Sequence, residues 1–354
     1  MNNKTSLVLS GGGAKGAYHV GAMKAIKEFN IQIDMIAGAS IGALNGAILA
    51  SAKDLHTGIE HMKNVWSVLP HQKPIQFGIG GVKVDFSPKQ SLSYLIFLLS
   101  AGLRLTNPIG VATTLVQNVE LGNLLKDDVL QNMMQEYLDL GQLQKSLPLY
   151  VSIFPQKHDG KALADFIMGI KDGIKTEILG INNQLSEFRH IQALPLDQQK
   201  ETILASSALP LLFKAYEDEK GLRFTDGGQG GMIQSQGNTP IEPLIRAGGE
   251  NIIVVHLDGT SLWHRHDFPN TNIIEIRPSI NMGGFKEMLD FSEKNVNKLV
   301  ATGYQDAIQT LSKVKSALDT VNAMRYSTNK LAQVFDKTAS NNLENAMARL
   351  KSSK

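Results

Sequence analysis

The stretch GASIGALNG, residues 38–46, puts one serine between two glycines where an apolar run meets a segment of small residues. The preceding DMIA (34–37) is compatible with a short buried strand, and ALNGAILA (43–50) with a buried helix. A tight strand–turn–helix with a serine at its tip is a nucleophile elbow, in which side chains at the flanking positions would clash. A serine that only caps a helix fits the same pattern. The stretch alone leaves both roles open for Ser40.

A glycine loop comes shortly before this stretch. TSLVL (5–9) predicts a first strand, SGGGAKG (10–16) a loop, and AYHVGAMKAIKEFN (17–30) an amphipathic helix. Strand, helix, strand and helix at this spacing predict a parallel sheet with crossover helices. Because adjacent parallel strands end at the same edge, we expect Gly11–Gly13 and Ser40 to face each other.

The loop has competing interpretations. Gly11–Gly16 satisfies the G-x-G-x-x-G pattern of dinucleotide-binding turns, and an acid, Asp34, follows it. That acid precedes the second predicted strand, however, whereas a ribose-binding acid belongs at its end. AY (17–18) stands where a P-loop needs Lys and Ser/Thr. Glycine N–H groups at a helix N-terminus can instead bind the oxyanion of a tetrahedral acyl intermediate, which with Ser40 gives two parts of an acyl-transfer site.

The third part of such a site is a general base. The chain has nine histidines, so a Ser-His-Asp triad is one possibility. The histidines considered for it are His19, His256 and the pair His264 and His266. Asp226 is the other candidate, because it ends a predicted strand and opens Asp226-Gly227-Gly228, where glycines clear the space around one carboxylate. An Asp-Gly-Gly also fits an ordinary turn.

Bulk composition excludes several classes of function. The 354 residues are 42% apolar and 19% charged, which is typical of a globular protein, and the net charge of +2 provides no strong field to recruit nucleic acid. The chain has no cysteine, so disulfides, thiolate metal sites and a cysteine nucleophile are excluded. No uninterrupted apolar run reaches the length of a membrane-spanning helix, and the N-terminus does not resemble a signal peptide.

The rest of the chain continues the alternation of strands and helices. Strands are predicted at 148–154, 251–257 and 272–278, a hairpin at 212–228 turning at 219–221, and only helix after about residue 285. The apolar segment LSYLIFLLSAGLRL (92–105) predicts a buried helix or, as the alternative, a lid that faces a membrane.

Together, GGGAKG (11–16), GASIG (38–42) and DGG (226–228) resemble the patatin-like phospholipase family, in the order and spacing of its glycine loop, G-x-S-x-G and D-G-[GA] motifs. ILASSALPLLF (203–213), NTPIEPLIRAG (238–248) and TGYQDAIQTL (302–311) look like further segments of that family. The resemblance covers roughly residues 5–312. It departs from the family pattern in QGGMIQSQG (229–237), an insertion that leaves the role of Asn238 open and that could form a flap.

The resemblance implies an α/β fold: a patatin-like three-layer arrangement with a largely parallel central sheet and helices on both faces, plus a helical C-terminal extension. We expect residues 1–312 to form the catalytic domain, with a helical insertion at about 54–146 as the candidate position of a lid, and 313–354 to form the extension.

The resemblance further implies a lipid acyl hydrolase of the phospholipase A or lysophospholipase type that works through a Ser-Asp dyad and an acyl-enzyme. By position, Ser40 would be the nucleophile and Asp226 the general base. Gly11, Gly12 and Gly13 would form the oxyanion hole, and the motif glycines would be Gly16, Gly38, Gly42, Gly227 and Gly228. No metal or cofactor is expected. The alternatives are a lipid transacylase with the same dyad and a nucleotide-binding regulatory protein that uses Gly11–Gly16.

The expected partners follow from this function. They are a phospholipid or lysophospholipid substrate and a membrane surface in peripheral contact, without nucleic acid; an activating protein partner stays open. The expected location is cytoplasmic or peripheral at membranes, with export by a route that needs no signal peptide as an open alternative.

Overall fold

The computed structural model describes residues 4–72, 78–79, 82–83, 135–156, 186–207, 216–217, 223–226, 237–259, 261, 263–283, 285–288 and 290–352. The chain divides into two units, Met1–Ala307 and Ile308–Lys354. Two of the predicted segments, 92–105 and 229–236, lie outside the described residues, as do Gly227, Gly228 and the turn at 219–221.

Ten strands are described. They are β1 (Thr5–Leu9), β2 (Met35–Ala39), β3 (Gly78–Ile79), β4 (Val82–Lys83), β5 (Leu149–Gln156), β6 (Glu187–His190), β7 (Tyr216–Glu217), β8 (Arg223–Asp226), β9 (Asn251–Val255) and β10 (Asn272–Ile276). Strands β3 and β4 form a separate antiparallel pair inside the segment predicted to be helical.

Eight helices accompany these strands in the described part of the chain. They are α1 (Ala17–Glu28), α2 (Ile41–Ala50), α3 (Leu55–Val68), α4 (Leu140–Leu143), α5 (Leu196–Ser206), α6 (Glu242–Arg246), α7 (Phe285–Met288) and α8 (Glu293–Ser352). Across the described residues, none of them combines the length and the apolar character that crossing a bilayer requires.

The main sheet is largely parallel. Strands β10, β9, β1, β2 and β5 lie side by side and all run in the same direction. Strands β6 and β8 pair with β5 in the antiparallel sense, and β7 pairs with β8 as the second arm of the predicted hairpin. Strands β1 and β2 are neighbours, and Leu9 lies opposite Gly38. Both strands therefore end together at the carboxyl edge of the sheet.

Helices cover both faces of this sheet, as the alternation of side chains along β1 makes clear. Val8 belongs to an apolar cluster with Leu244 of α6 and Trp263. Leu9 points to the opposite face, where α2 approaches so closely that Gly46 lies beside side chains of β2 and β5. The fold is therefore the predicted three-layer α/β arrangement with a largely parallel central sheet.

Candidate active site

Ser40 occupies the turn between β2 and α2 in a backbone conformation that its residue type rarely adopts. Its φ is 54° and its ψ is −128°, and it is one of two non-glycine residues with positive φ among those described. Such a conformation costs about 1–3 kcal/mol and persists only where the surroundings impose it. Ser40 is the N-cap of α2, but its hydroxyl makes no capping hydrogen bond. The capping role that the sequence left open for the hydroxyl is thus not used in this structure.

The two glycines that flank Ser40 are required by close backbone approach. A Cβ at Gly38 would fall on the backbone of Gly42 and within 2.6 Å of the amide nitrogen of Ala43. A Cβ at Gly42 would fall on the carbonyl group of Leu9 and within 2.7 Å of the carbonyl oxygen of Ser10. The tight turn therefore presses directly against the end of β1, which is where the glycine loop begins.

The glycine loop lies directly beside Ser40. A Cβ placed on Gly11 would be 2.9 Å from the Cβ of Ser40, so only a glycine leaves space there. The N–H of Gly11 donates to the side-chain oxygen of Asn238 at 3.1 Å and to its carbonyl oxygen at 3.3 Å. Gly11, which the resemblance gave as a donor to an oxyanion, has its N–H engaged by Asn238 in this structure.

The next two amides of the loop stand at a helix N-terminus. Gly12 is the N-cap of a 3₁₀ turn, Gly13–Gly16, which continues directly into α1. The first N–H groups of such a helix have no partner within it. Among the described residues, none accepts a hydrogen bond from the N–H of Gly12 or of Gly13. These two amides are therefore the ones that an anion beside Ser40 could engage.

The pairing of β5 with its neighbours decides on which edge of that strand Asp226 lies. Ile153 of β5 pairs with Glu187 of β6 and also with Asp226 of β8, so these two partners lie on opposite edges of β5. Strand β6 occupies one edge from Tyr150 onward, which leaves β8 on the same edge as β2. Ala39 of β2 lies opposite Ser152, the residue next to Ile153. The carboxyl ends of β2 and β8 therefore lie at consecutive positions along one edge of β5, with Ser40 directly after β2 and Asp226 at the end of β8.

The second half of the loop is fixed by a buried polar network. A Cβ at Gly16 would be 2.9 Å from both the Cγ2 of Ile41 and the ring of Trp66. The side-chain nitrogen of Asn45 donates to the carbonyl oxygen of Gly16 at 3.1 Å, and its oxygen accepts from the indole N–H of Trp66 at 3.0 Å. Helices α1, α2 and α3 are thereby tied to the loop.

The one cation of the loop is used inside the protein. Lys15 is buried, and its Nζ donates to the carbonyl oxygen of Gly283 at 2.6 Å. Burial lowers the pKa of Lys15, while the carboxylates of Asp258 and Glu287 act in the opposite direction. A Cβ at Gly13 would fall on the carbonyl oxygen of Met288, so the segment around α7 also rests on the loop. Lys15 holds the loop in place.

The histidines make contacts elsewhere. His19 is completely buried, its Nδ1 lies 3.1 Å from the side-chain nitrogen of Asn45, and burial lowers its pKa to about 3. The Nε2 of His256 lies 3.2 Å from a carboxylate oxygen of Glu275, and burial lowers the pKa of His256. His264 and His266 are exposed. In the described part of the chain, none of the four has a hydrogen bond to Ser40.

The position of Asp34 removes support from the dinucleotide interpretation. Asp34 immediately precedes β2, and its carboxylate accepts from the N–H of Thr5 at 2.7 Å. This is the amino end of β1 and β2, at the opposite edge of the sheet from the glycine loop. A ribose-binding acid belongs at the carboxyl end of β2, where the turn with Ser40 lies instead.

Two residues around Ser40 were not singled out from the sequence. The hydroxyl of Ser206 accepts from the N–H of Ser40 at 3.0 Å, and the hydroxyl of Ser207 donates to the carbonyl oxygen of Ser40 at 3.0 Å. Both lie in the segment ILASSALPLLF, which carried the resemblance without a role for either serine. No local pattern marks a serine that binds a backbone more than 150 positions away.

Comparison with known proteins bears on the family and the fold of the chain. The family model of the patatin-like phospholipases matches residues 7–245. The neuropathy target esterase sws of Drosophila persimilis is 49% identical over 65 residues, and that of Drosophila melanogaster 48%. Each match covers 18% of this chain and 4% of the relative, so the chain spans only a small part of those proteins.

Solved structures are more distant. VipD from Legionella pneumophila has a TM-score of 0.43 at 16% identity, over 88% of this chain and 67% of VipD. ExoU in its complex with SpcU from Pseudomonas aeruginosa has a TM-score of 0.34 at 15% identity, over 88% of this chain and 52% of that one.

Proposed function

The chain belongs to the patatin-like phospholipase family, a family of lipid acyl hydrolases, and we propose that it cleaves the carboxylic esters of phospholipids or lysophospholipids through Ser40 and Asp226. The observation that carries this proposal is the turn at Ser40. It has the strained φ of 54°, a hydroxyl that caps no helix, and Gly11 at its side. A nucleophile elbow needs these features, and a helix cap needs none of them.

In the proposed reaction, the Oγ of Ser40 attacks the ester carbonyl carbon while its proton passes to the carboxylate of Asp226. The N–H groups of Gly12 and Gly13 stabilise the oxyanion of the tetrahedral intermediate. Collapse breaks the ester bond, and the lipid alcohol leaves with the proton from Asp226. Water then attacks the acyl-enzyme, again with proton transfer to Asp226, and the proton returns to Ser40 as the fatty acid leaves.

A dyad without histidine is favoured by the surroundings of the histidines. The buried imidazole of His19 has a pKa of about 3 and lies against Asn45, so it serves the core. His256 lies against Glu275. The backbone register, in contrast, supports a meeting of Asp226 with Ser40 at the carboxyl edge of the sheet. Gly11 in this proposal shapes the space beside Ser40 and holds Asn238, while the next two amides act as donors.

The experiment is covalent labelling with a fluorophosphonate, mass spectrometry of the labelled peptide, and hydrolysis of a short-chain ester and of phospholipid vesicles. We expect the label on Ser40 and expect Ser40→Ala to lose both labelling and hydrolysis while it stays folded. Asp226→Asn should lower the turnover by at least about 10²-fold, as the loss of a general base does.

Histidine variants serve as the matched controls. His19→Asn and His256→Asn should retain most of the activity in the fraction that folds. A label on another residue, or full hydrolysis by Ser40→Ala, would contradict the assigned nucleophile. A folded histidine variant as inactive as Ser40→Ala would replace the dyad with a triad.

A further inference from the structure

We propose that Ser206 and Ser207, at the carboxyl end of α5, are positioning residues that hold the backbone of Ser40 in its strained conformation. This inference rests on the proposed function, since it concerns how the Ser40 hydroxyl is aimed. Neither serine touches the reacting atoms in this proposal. Both act through the peptide groups on the two sides of the nucleophile.

Ser206 holds the amide side of Ser40. Its side chain is fully buried, and its hydroxyl accepts the N–H of Ser40 at 3.0 Å. The same hydroxyl donates to the carbonyl oxygen of Ser152 at 2.6 Å. The hydroxyl proton is thus committed to Ser152, which fixes the lone pairs toward the amide of Ser40. Among the described residues, the N–H of Ser40 donates to the Ser206 hydroxyl alone.

Ser207 holds the carbonyl side. Its side chain is buried as well, and its hydroxyl donates to the carbonyl oxygen of Ser40 at 3.0 Å, with the carbonyl oxygen of Ile203 as a second acceptor at 3.3 Å. That carbonyl oxygen also accepts from the N–H groups of Ala43 and Leu44 in the first turn of α2. Ser207 therefore adds a third bond to a carbonyl that already has partners, whereas Ser206 satisfies an amide for which the described residues offer no other acceptor.

The hydroxyls of the adjacent residues Ser206 and Ser207 thus form hydrogen bonds with the peptide groups on the two sides of Ser40. A residue in a sparsely populated region relaxes unless its surroundings over-determine it. If the turn relaxed, the Oγ of Ser40 would swing away from the amides of Gly12 and Gly13. A displacement of about 1 Å at a reacting atom costs up to about 10²-fold in rate.

The bond from Ser206 to Ser152 adds a second effect. Ser152 of β5 lies opposite Ala39 of β2. The next residue, Ile153, pairs with Asp226. The Ser206 hydroxyl therefore connects the turn at Ser40 to β5, the strand in which Ile153 pairs with Asp226. We infer that it also fixes the separation between the Ser40 and Asp226 backbones.

The test compares Ser206→Ala, Ser207→Ala and a matched control, Ser51→Ala, in the full-length chain. Ser51 is also buried, and its hydroxyl also has carbonyl acceptors within reach, Ile48 at 3.3 Å and Tyr137 at 3.2 Å, which share its one proton. It lies at the far end of α2, away from the turn. The measured quantities are kcat and KM for a soluble ester, the rate of fluorophosphonate labelling at Ser40, and the melting temperature.

We expect Ser206→Ala to lower both kcat and the labelling rate by roughly 10- to 100-fold with KM within about twofold of wild type. Ser207→Ala should lower them by about two- to fivefold, because the carbonyl of Ser40 keeps its two other partners. Ser51→Ala should keep both rates within about twofold, although its melting temperature falls as much as that of the other two.

The inference is overturned if Ser206→Ala and Ser207→Ala match Ser51→Ala in kcat and labelling rate. If Ser206→Ala does not fold, Ser207→Ala decides, since it leaves every backbone group of Ser40 with a partner. Failure of the proposed function would look different, because the wild-type protein itself would then carry no label on Ser40.

Discussion

At the scale of single residues, the hydrogen-bond partners of a side chain, and not its burial alone, separate Ser40 from His19. Ser40 is buried, yet its hydroxyl does not cap the helix that it begins. His19 is also buried, but it lies against Asn45 and is held neutral. The two residues are only 21 positions apart in the sequence, and nothing in the local pattern around His19 excluded it as a base. Its contact with Asn45 and its lowered pKa argue against that role.

The environment of His19 predicts a pH dependence of stability. Burial lowers its pKa from about 6.5 to about 3 in the folded chain, so below pH 6.5 the unfolded chain binds a proton that the folded chain does not. The titration of His19 therefore leaves the free energy of unfolding unchanged above pH 6.5. It lowers that free energy as the pH falls from 6.5 toward 3. At pH 5 the loss amounts to about 2 kcal/mol.

Urea unfolding of the wild type and of His19→Asn at pH 7 and pH 5 measures this loss. The variant is expected to be less stable at pH 7, because it removes packing volume, but to lose less on acidification than the wild type does. The exposed His264→Asn should show the wild-type pH response. Equal losses in the wild type and in His19→Asn would place the titrating group elsewhere.

At the scale of elements, the site depends on how closely the start of α2 approaches the end of β1. Gly42 lies in the first turn of α2, and a Cβ there would fall on the carbonyl group of Leu9. The G-x-S-x-G pattern was predicted from the sequence as a property of the turn alone. In the structure only Gly38 serves the turn, whereas Gly42 serves the contact between helix and strand.

Gly42→Ala should therefore destabilise the whole chain rather than only slow the reaction. The added methyl group meets backbone atoms of Leu9 and Ser10, which cannot move aside as a flexible side chain could. We expect a loss of roughly 1–3 kcal/mol or more in the free energy of unfolding, as for other overpacked sites. Thermal and urea unfolding measure it.

Gly141→Ala is the matched control for this substitution. Gly141 lies in α4, and a Cβ there would meet only the side-chain oxygen of Asp139 at 3.2 Å. That variant should be as stable as the wild type or slightly more stable, because alanine favours a helix. Gly42→Ala with wild-type stability would mean that α2 can retreat from β1 without cost.

At the scale of the whole molecule, the described parts of the site all belong to the unit Met1–Ala307. Helix α8 begins in this unit and continues into the second one. Its first part is anchored, because Asp306 accepts from the hydroxyl of Tyr18 and from the N–H of Ser279, both at 2.9 Å. We propose that residues 1–312 suffice for the reaction.

A chain that ends after Ser312 should therefore label at Ser40 at the full-length rate within about twofold, since it retains the glycine loop, the turn and the anchor. A chain that ends after Val300 loses Asp306 and should be much less stable. Labelling, circular dichroism and vesicle hydrolysis compare the two. Loss of labelling in the chain that ends at Ser312 would show that the extension contributes to the site.

The sequence by itself determined the strand and helix order of residues 5–50, the strands later found as β5, β9 and β10, and the glycine motifs around Ser40, but not β3, β4 or β6. These signals are local, because apolar periodicity and glycine spacing follow from the geometry of a few consecutive residues. The hairpin of β7 and β8 and the helices after residue 285 were predicted on the same basis, and the structure confirms both.

Only the tertiary structure decided how distant segments meet around Ser40. The bond from Ser40 to Ser206 joins residues 166 positions apart, and that from Gly11 to Asn238 joins residues 227 positions apart. The approach of Asp226 depends on which edge of β5 receives β8. The physical reason is that a hydroxyl or an amide can bond any backbone group that packing brings within about 3 Å, so its partner is set by the assembled sheet and not by its sequence neighbours.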